Sequence, residues 1–223
     1  TQGGMELRPK AFIFDFDGVL VDSLAAHLRA WTQAVEDLFG KKITNPEELS
    51  GHSSRTIAHI LAKRFGNPSM AGNLRKLKEN LVCNSVNEVA FYADVKAVFD
   101  FLTANAKPFS IGSNSSRKFV TSTLTQFGLN VDTIVTACDV SRHKPAPDIF
   151  WTCANKMGIL PADRRLVVVF EDSPHGIRAA VSAGMTAVGV TTAVPAERLL
   201  EAGASKIAPS IGSALRDGWF EEI

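Results

Sequence analysis

One stretch near the N-terminus constrains the fold more than any other, an apolar run that ends in two acids and a glycine. Residues 11–14 read Ala-Phe-Ile-Phe, and Asp15-Phe16-Asp17-Gly18 follows directly. A short continuous apolar run predicts a strand that is buried on both faces of a sheet. Because side chains alternate along a strand, we expect Asp15 and Asp17 to leave the backbone on the same side. The alternative is an edge strand whose acidic face meets water, and the apolar flanks argue against it.

The two acids predict a cation site. Two carboxylates this close repel each other unless a cation lies between them. Gly18 lets the backbone turn sharply and approach a ligand closely. Carboxylate oxygens at a glycine turn favour a divalent metal such as Mg²⁺.

Length, charge and cysteine content exclude several classes of protein. The 223 residues suffice for one large domain, or for a core with an insertion, and the net charge is only +1. Because Lys and Arg are spread along the chain, no basic footprint for nucleic acid is expected. Three cysteines without metal-ligand spacing indicate free thiols in a reducing compartment. The apolar runs are only strand-sized and no signal-peptide pattern is present, so we expect a cytoplasmic protein without a membrane partner. We expect it to be a monomer or a weak homodimer.

Residues 22–91 carry helix signals and almost no strand signal. A helix is predicted after Asp22 or Ser23, and Gly40 is its stop. Its apolar positions are Leu24, Leu28, Trp31, Val35 and Leu38. Further helices are predicted from Asn45-Pro46, from Ser53 or Ser54 (with Ile60 on the apolar side), and over residues 70–89.

Strand and helix signals then alternate to the C-terminus. The predicted strands are 108–112, 133–137, 166–170 and 186–190, and the predicted helices are the one that Asp94 begins, 116–127, 147–157, 174–183 and 196–202. Such alternation predicts an α/β fold, a Rossmann-like doubly wound parallel sheet covered on both faces. The first strand must join this sheet. We therefore expect a core of residues 1–21 and 94–223 with an inserted α-helical cap domain at 22–93.

Polar residues follow the predicted strands, where ligands gather in open parallel sheets. Ser113-Asn114-Ser115-Ser116 follows one strand, Glu171-Asp172-Ser173 follows another, and Lys144 lies in the loop between them. Each has an ordinary alternative, namely a helix N-cap, a pair of loop acids and a surface lysine. Together they predict a site for a divalent cation and an anion.

These motifs resemble those of the haloacid dehalogenase superfamily, in its phosphatase and phosphomutase branch with a helical cap. Residues Asp15 to Val19 match the first family motif, and Ser113 matches the second. Lys144, in Lys-Pro-Ala-Pro-Asp, matches the third. Glu171-Asp172-Ser173, with Gly176, matches the fourth. Since dehalogenases and phosphonate-cleaving relatives lack the second acid of the first motif, Asp17 indicates phosphate ester chemistry.

The resemblance implies a role for each acid. Asp15 would be the nucleophile that forms an aspartyl-phosphate. Asp17 would act as general acid to the leaving oxygen and then as base to water. Mg²⁺ would be held by Asp15, the backbone carbonyl of Asp17 and Asp172, with Glu171 assisting directly or through water.

The resemblance also implies phosphate and substrate contacts. Ser113 and the neighbouring Asn114 would hold phosphoryl oxygens, and Lys144 would offset the negative charge. On the cap, His27, Arg55 and Lys78 are the candidate substrate-binding residues, whereas Trp31 belongs by preference to the apolar stripe. Two departures from the family pattern are the second hinge, Tyr92-Ala93-Asp94, and His143, where a small residue is more usual.

The function implied is a Mg²⁺-dependent phosphatase that hydrolyses a small phosphorylated metabolite, with a sugar phosphate preferred. A phosphomutase of the β-phosphoglucomutase kind would use the same intermediate, and the choice depends on how well the cap excludes water. A phospho-accepting signalling domain is a third alternative. A receiver of that kind would place its acceptor acid on a later strand and would not need the helical insertion.

Overall fold

The apolar run at the N-terminus forms an interior strand of a six-stranded parallel sheet. The computed structural model describes residues 8–49 and 53–223. Its strands are β1 (Ala11–Phe14), β2 (Val21–Asp22), β3 (Ala90–Phe91), β4 (Phe109–Gly112), β5 (Thr133–Val135), β6 (Val167–Glu171), β7 (Thr186–Val190) and β8 (Lys206–Ala208). The sheet order is β5-β4-β1-β6-β7-β8, while β2 and β3 pair antiparallel by themselves. The edge-strand alternative for β1 is therefore wrong.

Helices cover both faces of this sheet. They are α1 (Leu24–Phe39), α2 (Ser54–Phe65), α3 (Ala71–Asn84), α4 (Val95–Ala104), α5 (Arg117–Gln126), α6 (Asp148–Lys156), α7 (Pro174–Ser182), α8 (Ala196–Glu201) and α9 (Ile211–Arg216). Phe12 and Phe14 pack on the face that α4, α5 and α9 cover. Ala11 and Ile13 pack on the opposite face, against α6, α7 and α8. The predicted doubly wound α/β fold is confirmed.

Helices α1, α2 and α3 form a separate layer, which we call the helical cap, with its own apolar core. That core contains Trp31, Leu49, Leu61 and Leu74, all 2 % exposed or less. The chain runs from β1 into this layer through β2 and returns to the core through β3. The division into domains at residues 22 and 93 stays a prediction. None of the helices in the described ranges is long and apolar enough to cross a membrane.

Several local predictions are wrong. Residues Pro46–Leu49 form a single 3-10 turn instead of an α-helix. Leu24 and Ile60, which the helical pattern placed on apolar faces, are 51 % and 40 % exposed. The β2–β3 pair interrupts the region expected to lack strands, because two residues on each side are too few to give a pattern. β8 and α9 were not predicted, since each is short and weakly apolar.

Candidate active site

The register of the sheet brings the ends of three strands to one level. Phe14 of β1 lies opposite Ile111 of β4 and Phe170 of β6. Asp15 and Glu171, one residue further along β1 and β6, therefore lie side by side at the carboxyl edge of the sheet. This is the edge where parallel sheets bind ligands.

Lys144 joins these acids. Its Nζ donates to Oδ1 of Asp15, to Oε1 of Glu171 and to the carbonyl of Gly112, each at 2.7 Å. Lys144 is 6 % exposed and Glu171 is fully buried. A buried ion pair is tolerated when its hydrogen-bonding groups are satisfied, and here the three donors of the ammonium group have three acceptors.

Asp172 completes a cluster of three acids. One carboxylate oxygen from each of Asp15, Glu171 and Asp172 lies within 4.8 Å of the others. Glu171 has both oxygens in use, because Oε1 accepts from Lys144 and Oε2 accepts from the amide (3.1 Å) and hydroxyl (2.9 Å) of Ser173. Asp15 and Asp172 are thus the more available ligands, and Glu171 fits a contact through water. Carboxylate oxygens are the donors that Mg²⁺ prefers, so the residues present fit this ion.

The negative charges of this cluster lie close together and shift its pKa values. Burial and the neighbouring charge of Glu171 raise the pKa of Asp15 to about 8, although Lys144 opposes this shift. Burial also raises the pKa of Asp172 well above its ordinary value, and Glu171 and Asp15 add to the effect. Burial alone would lower the pKa of Lys144, but the charges of Asp15 and Glu171 raise it. The arrangement therefore favours binding of a cation.

The carboxylate of Asp17 contacts a different set of side chains. Its Oδ1 accepts from the Ser23 hydroxyl at 2.5 Å and contacts Nε2 of His27 at 3.0 Å, and its Oδ2 accepts from the Ser115 hydroxyl at 2.5 Å. Burial raises the pKa of Asp17, but the contact with His27 and the hydrogen bonds from Ser115 and Ser23 lower it below its ordinary range. Without substrate, these contacts therefore favour the carboxylate form of Asp17.

Lys78 lies behind His27. Lys78 is 1 % exposed, and its Nζ is 2.8 Å from Nδ1 of His27, 3.3 Å from Oε1 of Glu79 and 5.4 Å from the centre of the Trp31 ring. Since an ammonium group can only donate, His27 Nδ1 is the acceptor and Nε2 carries the proton toward Asp17. Of the three candidate cap residues, the structure thus places His27 in contact with Asp17 and Lys78 in contact with His27.

The polar side chains of residues 113–116 make different contacts. Ser116 is the N-cap of α5, where its hydroxyl accepts from the amide of Phe119. Ser113 is 1 % exposed, and its hydroxyl accepts from the amide of Ser115 at 3.0 Å. Asn114 accepts from the amide of Lys144 at 3.1 Å, which fixes the lysine loop to the end of β4. The phosphate-binding roles of Ser113 and Asn114 stay predictions.

Two glycines allow the close packing of the acids. Gly18 has φ +79°, and a Cβ there would lie 1.8 Å from Oδ2 of Asp172. A Cβ at Gly176, in the first turn of α7, would lie 1.8 Å from the carboxylate of Glu171. No other residue fits at either position without moving an acid of the cluster.

A cavity of about 1050 Å³ lies above the cluster, between the core and the helical cap. Arg55 lines it from the first turn of α2 and is exposed, so the structure places it within reach of a bound molecule without a direct contact to the acids. Gly51, which precedes Arg55 in the sequence, lies outside the described residues.

Three contributors to this region were not predicted. Ser23 was expected to be a helix N-cap, and it occupies that position, but its hydroxyl donates to Asp17. Ser115 was one of four adjacent polar residues with no signal to distinguish it. The hydroxyl of Thr192, after β7, donates to the carbonyl of Gly18 at 2.5 Å, which only the tertiary fold could show.

The chain belongs to the haloacid dehalogenase-like hydrolase family, because the model of that family matches residues 12–190. Fructose-1-phosphate phosphatase YqaB of Escherichia coli K12 is 30 % identical over 191 residues, 82 % of this chain and 97 % of that protein. Beta-phosphoglucomutase of Bacillus subtilis is 29 % identical over 200 residues, 83 % of this chain and 85 % of that protein. A crystal structure of a HAD family hydrolase from Deinococcus radiodurans R1, with bound phosphate and sodium, has a TM-score of 0.71 and 27 % identity, covering 96 % of each chain.

This membership confirms the predicted family and the prediction that the protein is an enzyme of the phosphatase class. It also argues against the signalling-domain alternative.

Proposed function

We propose that this protein is a Mg²⁺-dependent phosphatase that hydrolyses a small sugar phosphate through an aspartyl-phosphate on Asp15. The observation that carries the proposal is the Lys144 contact to Asp15 and Glu171, at 2.7 Å each, beside Asp172 at the base of a large cavity. In this arrangement Asp15 would be the nucleophile, Lys144 the fixed cation, and the three adjacent acids the metal ligands. The similarity to a fructose-1-phosphate phosphatase supports a sugar phosphate as substrate.

In the first step a carboxylate oxygen of Asp15 attacks phosphorus, and the bond between phosphorus and the sugar oxygen breaks. Lys144 donates to Oδ1 of Asp15, so Oδ2 is the oxygen available for attack. The leaving oxygen takes a proton from Asp17. Because the contacts of Asp17 favour its carboxylate form without substrate, Asp17 must gain this proton when the phosphate ester binds. Ser113 would donate to a phosphoryl oxygen as charge develops.

In the second step water attacks the phosphorus and the bond to Asp15 breaks, releasing inorganic phosphate. Asp17 takes the proton of the water. The donors Ser23, His27 and Ser115 hold Asp17 as a carboxylate, which is the state required of this base.

A divalent cation fits the acids that the chain supplies. Asp15 and Asp172 would hold Mg²⁺, with Glu171 reaching it through water and the backbone carbonyl of Asp17 as a further ligand. When bound, Mg²⁺ supplies the positive charge that makes attack by a carboxylate on an anionic phosphate feasible.

Asp15→Asn tests the nucleophile. We expect phosphate release to fall to background, since an amide cannot form the acyl phosphate, while the protein stays folded. A panel of sugar phosphates, nucleotides and phosphoglycolate, with and without Mg²⁺, supplies the substrates. Asp100→Asn is the matched control, because Asp100 is exposed and pairs with Lys96 on the surface of α4. Undiminished turnover in the Asp15 variant would refute the proposal.

A phosphomutase is the second candidate, and the similarity to beta-phosphoglucomutase favours it. A mutase would return the phosphoryl group from Asp15 to a sugar hydroxyl instead of to water. Incubation with β-glucose 1-phosphate and a sugar bisphosphate primer distinguishes the two enzymes. Formation of glucose 6-phosphate without free phosphate would replace the phosphatase proposal with the mutase.

A further inference from the structure

His143 lines the same cavity, and the catalytic steps above do not use it. It lies between Arg142 and Lys144 on the loop that leads from β5 to α6. His143 and Asp15 line the same cavity, into which the part of the substrate beyond the phosphate would extend.

The loop is held on both sides of His143. On one side Nε of Arg142 donates to Oδ1 of Asp148 at 3.0 Å, and its Nη2 lies 3.0 Å from Oδ2. On the other side the amide of Lys144 donates to Asn114 at 3.1 Å. The loop is therefore held on both sides of His143, which a selective contact requires.

The hydrogen bond of the ring decides which nitrogen is protonated. Nε2 of His143 is 3.1 Å from the carbonyl oxygen of Ala137. A carbonyl can only accept, so Nε2 carries the hydrogen, and Nδ1 of the neutral ring keeps a lone pair. Nδ1 has no hydrogen-bond partner among residues 8–49 and 53–223.

We propose that Nδ1 of His143 accepts a hydrogen bond from a hydroxyl group of the leaving alcohol and so selects polyhydroxylated phosphate esters. The proposal rests on the proposed phosphatase function and names the chemistry of its substrate. Nδ1 of His143 can accept a hydrogen bond from a hydroxyl group. A carboxylate or a second fully ionised phosphate at this point would offer only acceptors and could not donate to it. Sites that hydrogen-bond a substrate hydroxyl reject analogues that lack it.

Two isosteric variants separate the two nitrogens. The amide group of asparagine occupies the place of Nδ1, and that of glutamine occupies the place of Nε2. His143→Asn therefore keeps an acceptor toward the cavity and loses the bond to Ala137. His143→Gln keeps the bond to Ala137 and loses the acceptor.

The assay compares kcat/KM for fructose 1-phosphate, glucose 1-phosphate and glucose 6-phosphate with kcat/KM for phenyl phosphate, which has no hydroxyl. For the best sugar phosphate we expect His143→Gln to lower this ratio roughly tenfold, mostly through KM, as loss of one hydrogen bond implies. His143→Asn should keep the ratio within about threefold. Phenyl phosphate turnover should stay unchanged in the glutamine variant.

Other results would overturn the inference. An equal loss for both kinds of substrate in His143→Gln would mean that the residue only positions Lys144, and an unchanged ratio would mean that it makes no contact. Wild-type hydrolysis of phenyl phosphate without preference for any sugar phosphate would overturn the inference and leave the phosphatase function standing. No hydrolysis of either kind would overturn both.

Discussion

At the scale of single residues, the site is governed by buried charge. Lys144 neutralises one of the two acids that it contacts, and Asp172 adds a further negative charge nearby. Without metal, a proton on Asp15 reduces the repulsion among these acids, and the pKa of Asp15 is accordingly raised to about 8. Burial and like charge both disfavour the ionised form, so a proton and a cation compete for the same group.

This competition predicts a pH dependence of the metal-free protein. Because the pKa of Asp15 rises from 3.8 in the unfolded chain to about 8 in the folded one, the folded state binds more protons between these values. The proton on Asp15 therefore contributes to the free energy of unfolding at low pH, and this contribution is lost as pH rises toward 8. In EDTA we expect Tm to fall from pH 6 to pH 8, and the rise in Tm on adding Mg²⁺ to be larger at pH 8.

Asp15→Asn serves as the control for that experiment, because its side chain does not titrate. The variant should show a flatter Tm in EDTA over the same range and a weaker response to Mg²⁺. Equal pH dependence in the variant and the wild type would assign the effect to another group.

At the scale of elements, the contact between β6 and α7 sets the position of Glu171. Gly176 lies in the first turn of α7, and a Cβ there would lie 1.8 Å from the Glu171 carboxylate, which is fully buried. Since β6 is an interior strand, the helix cannot shift without disturbing the sheet. Glu171 would have to move and give up its bond to Lys144.

Gly176→Ala should therefore lower stability by about 2 kcal/mol or more, through overpacking and an unpaired buried carboxylate. Activity should fall as well, because Lys144 loses one of its anchors. Gly72→Ala is the matched control, since Gly72 lies at the start of helix α3 with open space around its Cα. Alanine there should change stability by less than about 1 kcal/mol, in the favourable direction. Urea unfolding of both variants measures the difference, and equal effects would contradict the packing argument.

The elements that could be predicted are those whose residues carry their own signal. Residues 186–190 were predicted as a strand with correct ends, because a buried parallel strand is apolar throughout. Asp15, Lys144 and Glu171 were found because each follows a strand or lies in a recognisable motif. The contacts of Ser23 and Ser115 with Asp17 could not be predicted, since these hydroxyls are chosen by tertiary position. Asp94 is the N-cap residue of α4, as predicted, but its carboxylate makes no cap hydrogen bond and accepts from Ser210, a residue distant in sequence.

At the scale of the whole molecule, the helical cap meets the core above the cavity. Within the described residues, the chain passes between helices α1 to α3 and the sheet through β2 and β3, two residues each. The side-chain contacts across the interface include Sγ of Cys83, on α3, which is 3.7 Å from the hydroxyl oxygen of Ser116, on the core side. Hinges of a few residues allow two packed bodies to move relative to each other. Release of phosphate from beneath the cap would then require this interface to open.

A disulfide at this contact tests that requirement. In Ser116→Cys, the thiol would lie close enough to Cys83 to form a bond with a small side-chain rotation, because the present atoms are 3.7 Å apart. We expect the oxidised variant to hydrolyse sugar phosphates at least about tenfold more slowly, and reduction to restore turnover, since chemistry in a closed site cannot proceed faster than exchange with solvent. Loss of the N-cap on α5 should cost the reduced form about 1 kcal/mol of stability. Cys83→Ser in the same variant is the control, because it cannot form the bond and should not respond to oxidant. Full activity of the oxidised variant, with the disulfide shown by mass spectrometry, would mean that substrate and phosphate exchange without movement of the cap.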